Sequence, residues 1–156
     1  MTTLRVILRC GLLVTALLAA ACAPIRLIAD YDAASVEETI RVGKQVDVFY
    51  GQIVELDSAA RTYAPFADRY IEIEAEIRSL VRRNTARPLN SESTQISRTI
   101  LGFWIDYHQK HKTKNRYQDA RFDRRRFERL FDAALSAEVA KRLPADDRAP
   151  PTDPDR

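Results

Sequence analysis

The sequence predicts an all-α protein, a three- or four-helix antiparallel bundle with coiled-coil-like packing behind an N-terminal export leader. Three observations carry this expectation. Apolar residues recur at alternating steps of four and three over long stretches, the period of a helix seam rather than of a strand. The 156 residues include only four glycines, few for the turns of a sandwich or barrel. The two cysteines, Cys10 and Cys22, both lie at the N-terminal end, so no disulfide framework holds the body and a packed core must do so.

The N-terminal stretch has a basic end, Arg5 and Arg9, followed by the apolar run Gly11-Leu-Leu-Val-Thr-Ala-Leu-Leu-Ala-Ala-Ala-Cys22. Only 16 residues separate Arg9 from Arg26, whereas an untilted membrane-spanning helix needs about 20. A cleaved leader fits better. Ala19-Ala20-Ala21-Cys22 resembles the lipobox of bacterial lipoproteins, in which the cysteine becomes the lipidated first residue of the mature chain. Ala19 stands where that pattern usually has leucine. Ordinary cleavage after Ala19-Ala20-Ala21 and an uncleaved anchor helix are the rival readings. By the same resemblance, Ala23 rather than aspartate favours forwarding to the outer membrane. Removing residues 1–21 takes away two arginines and no acid, so the formal charge falls from +3 to +1.

The organisation expected is a signal peptide over 1–21, a lipidated cysteine with a short linker over 22–34, a helical domain over 35–143 and a disordered tail over 144–156. The first helix is expected from Ser35 to Thr62, with its seam at Val42, Val46, Phe49, Ile53, Leu56, Ala60 and Tyr63, widened by Val36, Ile40, Tyr50 and Val54. Ser35 with Glu38 three residues on forms a capping-box pattern. Gly43 and Gly51 each cost about 1 kcal/mol against alanine in a helix interior, which points to close packing at both.

Pro65 suits the first turn of a second helix, whose seam runs through Phe66, Tyr70, Ile73, Ile77 and Leu80. Its C-terminal Arg78, Arg82 and Arg83 match the helix dipole. A loop with Pro88 follows over 84–93. The third segment, Thr94 to Lys112, carries Ile96, Ile100, Phe103 and Tyr107 beside Leu101 and Trp104, and a further one from Tyr117 to Leu143 carries Phe122, Phe127, Phe131, Leu135 and Val139. Whether these form one bent helix or two is open in the sequence. The tail has four prolines, four acids and no aliphatic residue larger than alanine, so it cannot build a core.

Leu27-Ile-Ala-Asp-Tyr-Asp32 after the cysteine resembles a loose family of small uncharacterised bacterial α-helical lipoproteins. Leu56, Tyr63, Tyr70, Asn90, the segment Asp106-Tyr-His-Gln-Lys-His-Lys112 and the closing Ala137-Glu-Val-Ala-Lys-Arg142 extend the likeness over most of 22–143. The resemblance implies a helical envelope protein and brings no catalytic residues with it. The basic run after Asn115 and the acidic tail depart from it.

Two candidate sites stand out. From His108 to Arg129 there are nine Lys or Arg and three acids, densest at Arg121, Arg124, Arg125, Arg126 and Arg129. Clustered arginines neutralise phosphates in nucleic-acid binders, but behind an export leader the available anions are lipid headgroups, lipopolysaccharide or acidic protein. The plain alternative is a solvated helix face paired with its own acids, and Phe122 and Phe127 are spaced to face the core. His108 and His111, three apart on one helix face with Asp106 upstream, are weak metal candidates. They lack the His-Glu-x-x-His pattern of zinc proteases. Trp104, Phe103 and Tyr107 read as core.

No nucleophile elbow, glycine-rich phosphate loop or facing carboxylate pair is present, so the chain does not read as an enzyme and no cofactor is implied. The expected function is a binding or scaffolding accessory of the cell envelope, anchored by lipid on Cys22 to the periplasmic face of the outer membrane. Its expected partners are the membrane, through that lipid, and an envelope protein or anionic envelope polymer, without nucleic acid. A small-molecule or metal-binding module using His108 and His111 is the alternative. A long heptad seam can also pack between copies, so a homo-oligomer stays open.

Overall fold

The computed structural model describes residues 27–142. The expected leader, the lipidated Cys22 and the tail over 144–156 lie outside the described residues. Four helices follow in order: α1 (Ala33–Glu55), α2 (Ala67–Ala86), α3 (Ser91–Lys114) and α4 (Ala120–Val139), with single 3-10 turns at Ser58–Ala60, Ala64–Phe66 and Ala140–Arg142. Each helix packs on its sequence neighbours, and α4 closes the ring against α1, giving an up-down-up-down bundle. The described residues contain no strand, and none of their helices is long and apolar enough to cross a membrane.

Helix α1 starts earlier than the capping-box pattern implies. Asp32, not Ser35, is the N-cap: its carboxylate accepts from the Ala34 amide at 3.2 Å and from the Ser35 hydroxyl at 2.7 Å. A carboxylate at this position also matches the positive end of the helix dipole. The expected partner Glu38 instead accepts from Arg83 of α2 at 2.6 Å.

The helix also ends at Glu55, not Thr62. Arg61 folds back so that its guanidinium donates to the carbonyls of Leu56 (2.9 Å) and Val54 (3.0 Å), filling acceptors left open at the helix end. The seam positions Leu56 and Ala60 are therefore exposed, as is Ile40, which the widened stripe placed inside.

The segment left open in the sequence is two helices. Asn115 sits in the left-handed region at φ 48°, where asparagine is better tolerated than most residues, and stops α3. Its carboxamide then accepts from the Tyr63 amide at 3.0 Å, tying this turn to the α1–α2 connection.

The core is aromatic at its centre. Phe49 meets Tyr50, Phe66, Tyr70 and Trp104 edge-on, with ring centroids between 4.6 and 5.7 Å apart. Ile53, Ile73, Ile77, Leu80 and Ile100 are fully buried around them. Trp104 buries its indole N–H without penalty by donating to the Tyr70 carbonyl at 3.1 Å. At Gly43 the packing is close, as expected: an added Cβ would lie 3.1 Å from Phe131 Cγ. At Gly51 it is not, since the nearest atom is the Arg124 guanidinium at 3.8 Å.

Candidate functional site

The arginine cluster divides into two sets because α4 turns one face inward. Arg124 packs toward α1 and holds Asp47 through Nε at 2.6 Å and Nη2 at 3.0 Å, with Glu128 at 3.6 Å. Arg126 lies over the rings of Phe103 and Phe122, each 5.0 Å away, and donates to the Tyr107 hydroxyl. Phe122 is therefore not a core residue: it is 49% exposed and serves as a platform for that guanidinium.

Arg121, Arg125 and Arg129 remain on the outer face, four residues apart and exposed. None forms an ion pair among the described residues. The expectation of a helix face paired with its own acids holds for Arg124 and fails for these three. Asp123, an acid of the same helix, is buried and turned inward.

His108 and His111 are brought together with two tyrosines rather than with carboxylate ligands. His111 is buried between α2, α3 and the connection after α1. Its Nε2 lies 3.1 Å from the Arg61 carbonyl and its Nδ1 3.1 Å from the Tyr70 hydroxyl. A carbonyl only accepts, so Nε2 carries the proton and Nδ1 accepts from Tyr70. Burial lowers the His111 pKa, offset in part by the Arg61 bond.

His108 stacks on the Tyr70 ring, with centroids 4.4 Å apart, and its Nε2 is 2.9 Å from the Tyr63 hydroxyl. Burial lowers its pKa too, against the pull of Glu74, whose carboxylate is 3.8 Å from Nδ1. A shared metal would have to break the bonds already made by His111. Among the described residues no group of three or more His, Cys, Asp or Glu side chains is placed to hold one.

Beside this pair, between the C-terminal half of α3 and the start of α4, lies a cleft of about 570 Å³. Its walls include Phe103, Tyr107, His111, Tyr117, Asp123 and Arg126. Asp123 accepts from the Tyr117 hydroxyl at 2.8 Å, and Tyr117 in turn is 3.1 Å from the Tyr50 hydroxyl. Burial pushes the Asp123 carboxyl above its ordinary range, while the hydrogen bonds from Tyr117 and Tyr107 and the charge of Arg126 oppose the shift. Burial likewise raises Tyr50, Tyr70 and Tyr117, so all three stay protonated donors.

A second polar cluster, which periodicity could not reveal, sits at the opposite end. Glu138 is buried at the end of α4 and accepts from Arg87 (2.8 Å), from the Asp32 amide (2.9 Å) and from Lys141. Lys141 also donates to Ser93 at 2.7 Å. Burial alone would raise the Glu138 pKa, but the Arg87 and Lys141 bonds outweigh it and hold the carboxyl below its ordinary range. In the sequence Arg87 falls in the expected loop over 84–93 and Lys141 in the closing segment, 51 and three residues from Glu138, and no local pattern joins the three. The chain matches no model of a known protein family, no curated protein and no solved structure.

Proposed function

We propose that this protein is a lipid-tethered binding or scaffolding accessory of the bacterial envelope, held by Cys22 and presenting the outer face of α4 to an anionic macromolecule. The observation that carries the reading is the row Arg121, Arg125, Arg129, exposed and without an ion partner among the described residues. Like charges four apart on a helix each cost about 0.2–0.5 kcal/mol. Arg121 lies in the first turn of α4, the positive end of its dipole, a further cost of about 0.3–1 kcal/mol. An acidic protein surface or polymer lying along the row relieves these costs. The expected export leader and the lipobox-like Cys22 support a partner in the envelope, and the resemblance to small helical lipoproteins agrees.

The test is in-cell crosslinking with the variant Arg121→Glu, Arg125→Glu, Arg129→Glu. Capture of an acidic envelope partner by the native chain, and its loss in the variant at unchanged thermal stability, is the expected result. Identical capture by both chains overturns the reading. The tether is read separately, as radiolabelled palmitate that disappears in Cys22→Ser.

The cleft favours a second reading, a small-molecule module, because its volume lies in the range of ligand pockets, about 300–1,000 Å³. Stoichiometric zinc lost in His108→Ala, His111→Ala would replace the scaffold reading with a metal-binding one.

A further inference from the structure

Both ends of the bundle expose large aliphatic side chains, Leu56 and Ile71 toward the end where α1 stops and α2 starts, but the end that carries the segment before α1 exposes four of them. Leu27 (80% exposed), Ile28 (55%), Leu89 (54%) and Val139 (50%) come from the segment before α1, the α2–α3 turn and the last residue of α4. The chain joins them at one place. The Ala29 amide donates to the Leu89 carbonyl at 3.0 Å, and the Asp32 amide donates to Glu138, one residue before Val139.

Leu89 also has φ 58°, a conformation uncommon for leucine, held by that bond to Ala29. At the edge of this patch Arg142 lies over the Tyr31 ring, 4.3 Å from its centroid, and donates to its hydroxyl at 2.9 Å. Exposed aliphatics ringed by a tyrosine and an arginine match the layering of a membrane interface, with apolar groups at the acyl boundary and amphipathic or basic groups among the headgroups.

We infer that this end of the bundle rests on the bilayer surface, so that the helices stand along the membrane normal. The inference builds on the tether reading, and the chain outside the described residues supports it. In the sequence Arg26 immediately precedes Leu27, and Cys22 precedes it by five residues, at most about 18 Å of extended chain. A lipid on Cys22 therefore holds this end, and no other, within reach of the surface.

The 23 residues of α1 give the bundle a length of about 35 Å. Arg121, Arg125 and Arg129 on α4 then lie about 15–30 Å from the headgroups, roughly two to four times the Debye length of about 8 Å at physiological salt. The arginine row faces an envelope partner, not the lipid of its own membrane.

The test uses the full chain carrying Cys10→Ser, reconstituted in phosphatidylethanolamine and phosphatidylglycerol vesicles with brominated acyl chains. A fluorophore is attached at Leu89→Cys, at Val139→Cys or, for the far end, at Lys114→Cys. Quenching at the first two sites is expected to exceed that at Lys114 by about threefold, as for groups seated at the acyl boundary. In the background Leu27→Asp, Ile28→Asp the chain still floats with the vesicles while this difference shrinks. Equal quenching at all three sites, with the chain floating, overturns the end-on inference and leaves the tether standing. A chain that does not float overturns both.

Discussion

Replacing Glu138 with alanine removes one buried carboxylate and leaves two half-buried cations without it. The Glu138 side chain is 4% exposed, Arg87 17% and Lys141 6%, so water compensates little of the loss. Breaking one side of a buried ion pair costs about 3–5 kcal/mol, most of it from the stranded charge. Arg87 keeps the carbonyl of Asp30 and the Ser35 hydroxyl at 3.3 Å as neutral acceptors, and Lys141 keeps Asn90 and Ser93. These place the expected loss at the lower end, about 3 kcal/mol. Against a total stability of about 5–15 kcal/mol this is a large fraction. The single tryptophan, Trp104, is fully buried and reports urea unfolding directly. The midpoint should fall with the slope unchanged. A loss below about 1 kcal/mol, the size of an exposed pair, would refute the claim that the cluster is desolvated.

Gly51→Ala should raise stability by about 0.5–1 kcal/mol, since its added methyl meets only ordinary contact, whereas Gly43→Ala should gain nothing because Phe131 must yield first. Parallel urea titrations of the two variants check this. Burial lowers the pKa of both His108 and His111, so the folded state resists protons that the unfolded chain accepts. Their contribution is present above about pH 6.5 and is lost as pH falls below it, at up to about 1.4 kcal/mol per histidine per pH unit. Asp123, with its pKa raised, acts in the opposite sense. Comparing the native chain with His111→Gln between pH 7.5 and 5.5 therefore isolates the His111 share, and parallel profiles would rule it out.

The bundle was legible in the sequence because its core repeats with the helix. Val42, Val46, Phe49 and Ile53, then Tyr70, Ile73, Ile77 and Leu80, are all buried where the seam puts them. The helix ends were less legible, because they are decided by single side chains acting across the fold. Arg61 closes α1 from beyond its end, and Asp32 caps it while also meeting Arg83 from α2 at 3.3 Å. Phe122 carries the helix period yet lies outside, since cation–π stacking with Arg126 holds it on the surface. The arginine cluster was visible as a count but not as two sets. Only the rotation of α4 separates Arg124, committed to Asp47, from the outward row. The His108 and His111 partners, Tyr63 and Tyr70, lie 45 and 41 residues away, beyond any local spacing rule.

The Glu138 cluster separates stability from positioning, and a variant can test which of the two it serves. Replacing all three charged members with apolar residues, in Glu138→Leu, Arg87→Met, Lys141→Met, strands no charge. Comparable replacements elsewhere are neutral or stabilising by about 1–4 kcal/mol. The bundle should thus unfold no earlier than the native chain. The segment before α1 loses two of its anchors together, the Arg87 bond to the Asp30 carbonyl and the Glu138 bond to the Asp32 amide. The Ala29 amide, whose bond goes to the Leu89 carbonyl and to none of the replaced side chains, is the reporter. Its hydrogen exchange should speed by at least about tenfold while amides in the α1 and α3 cores keep their protection. Unchanged protection at Ala29 would show that the other contacts of the segment, not the charged cluster, fix its place, and that the cluster serves the bundle alone.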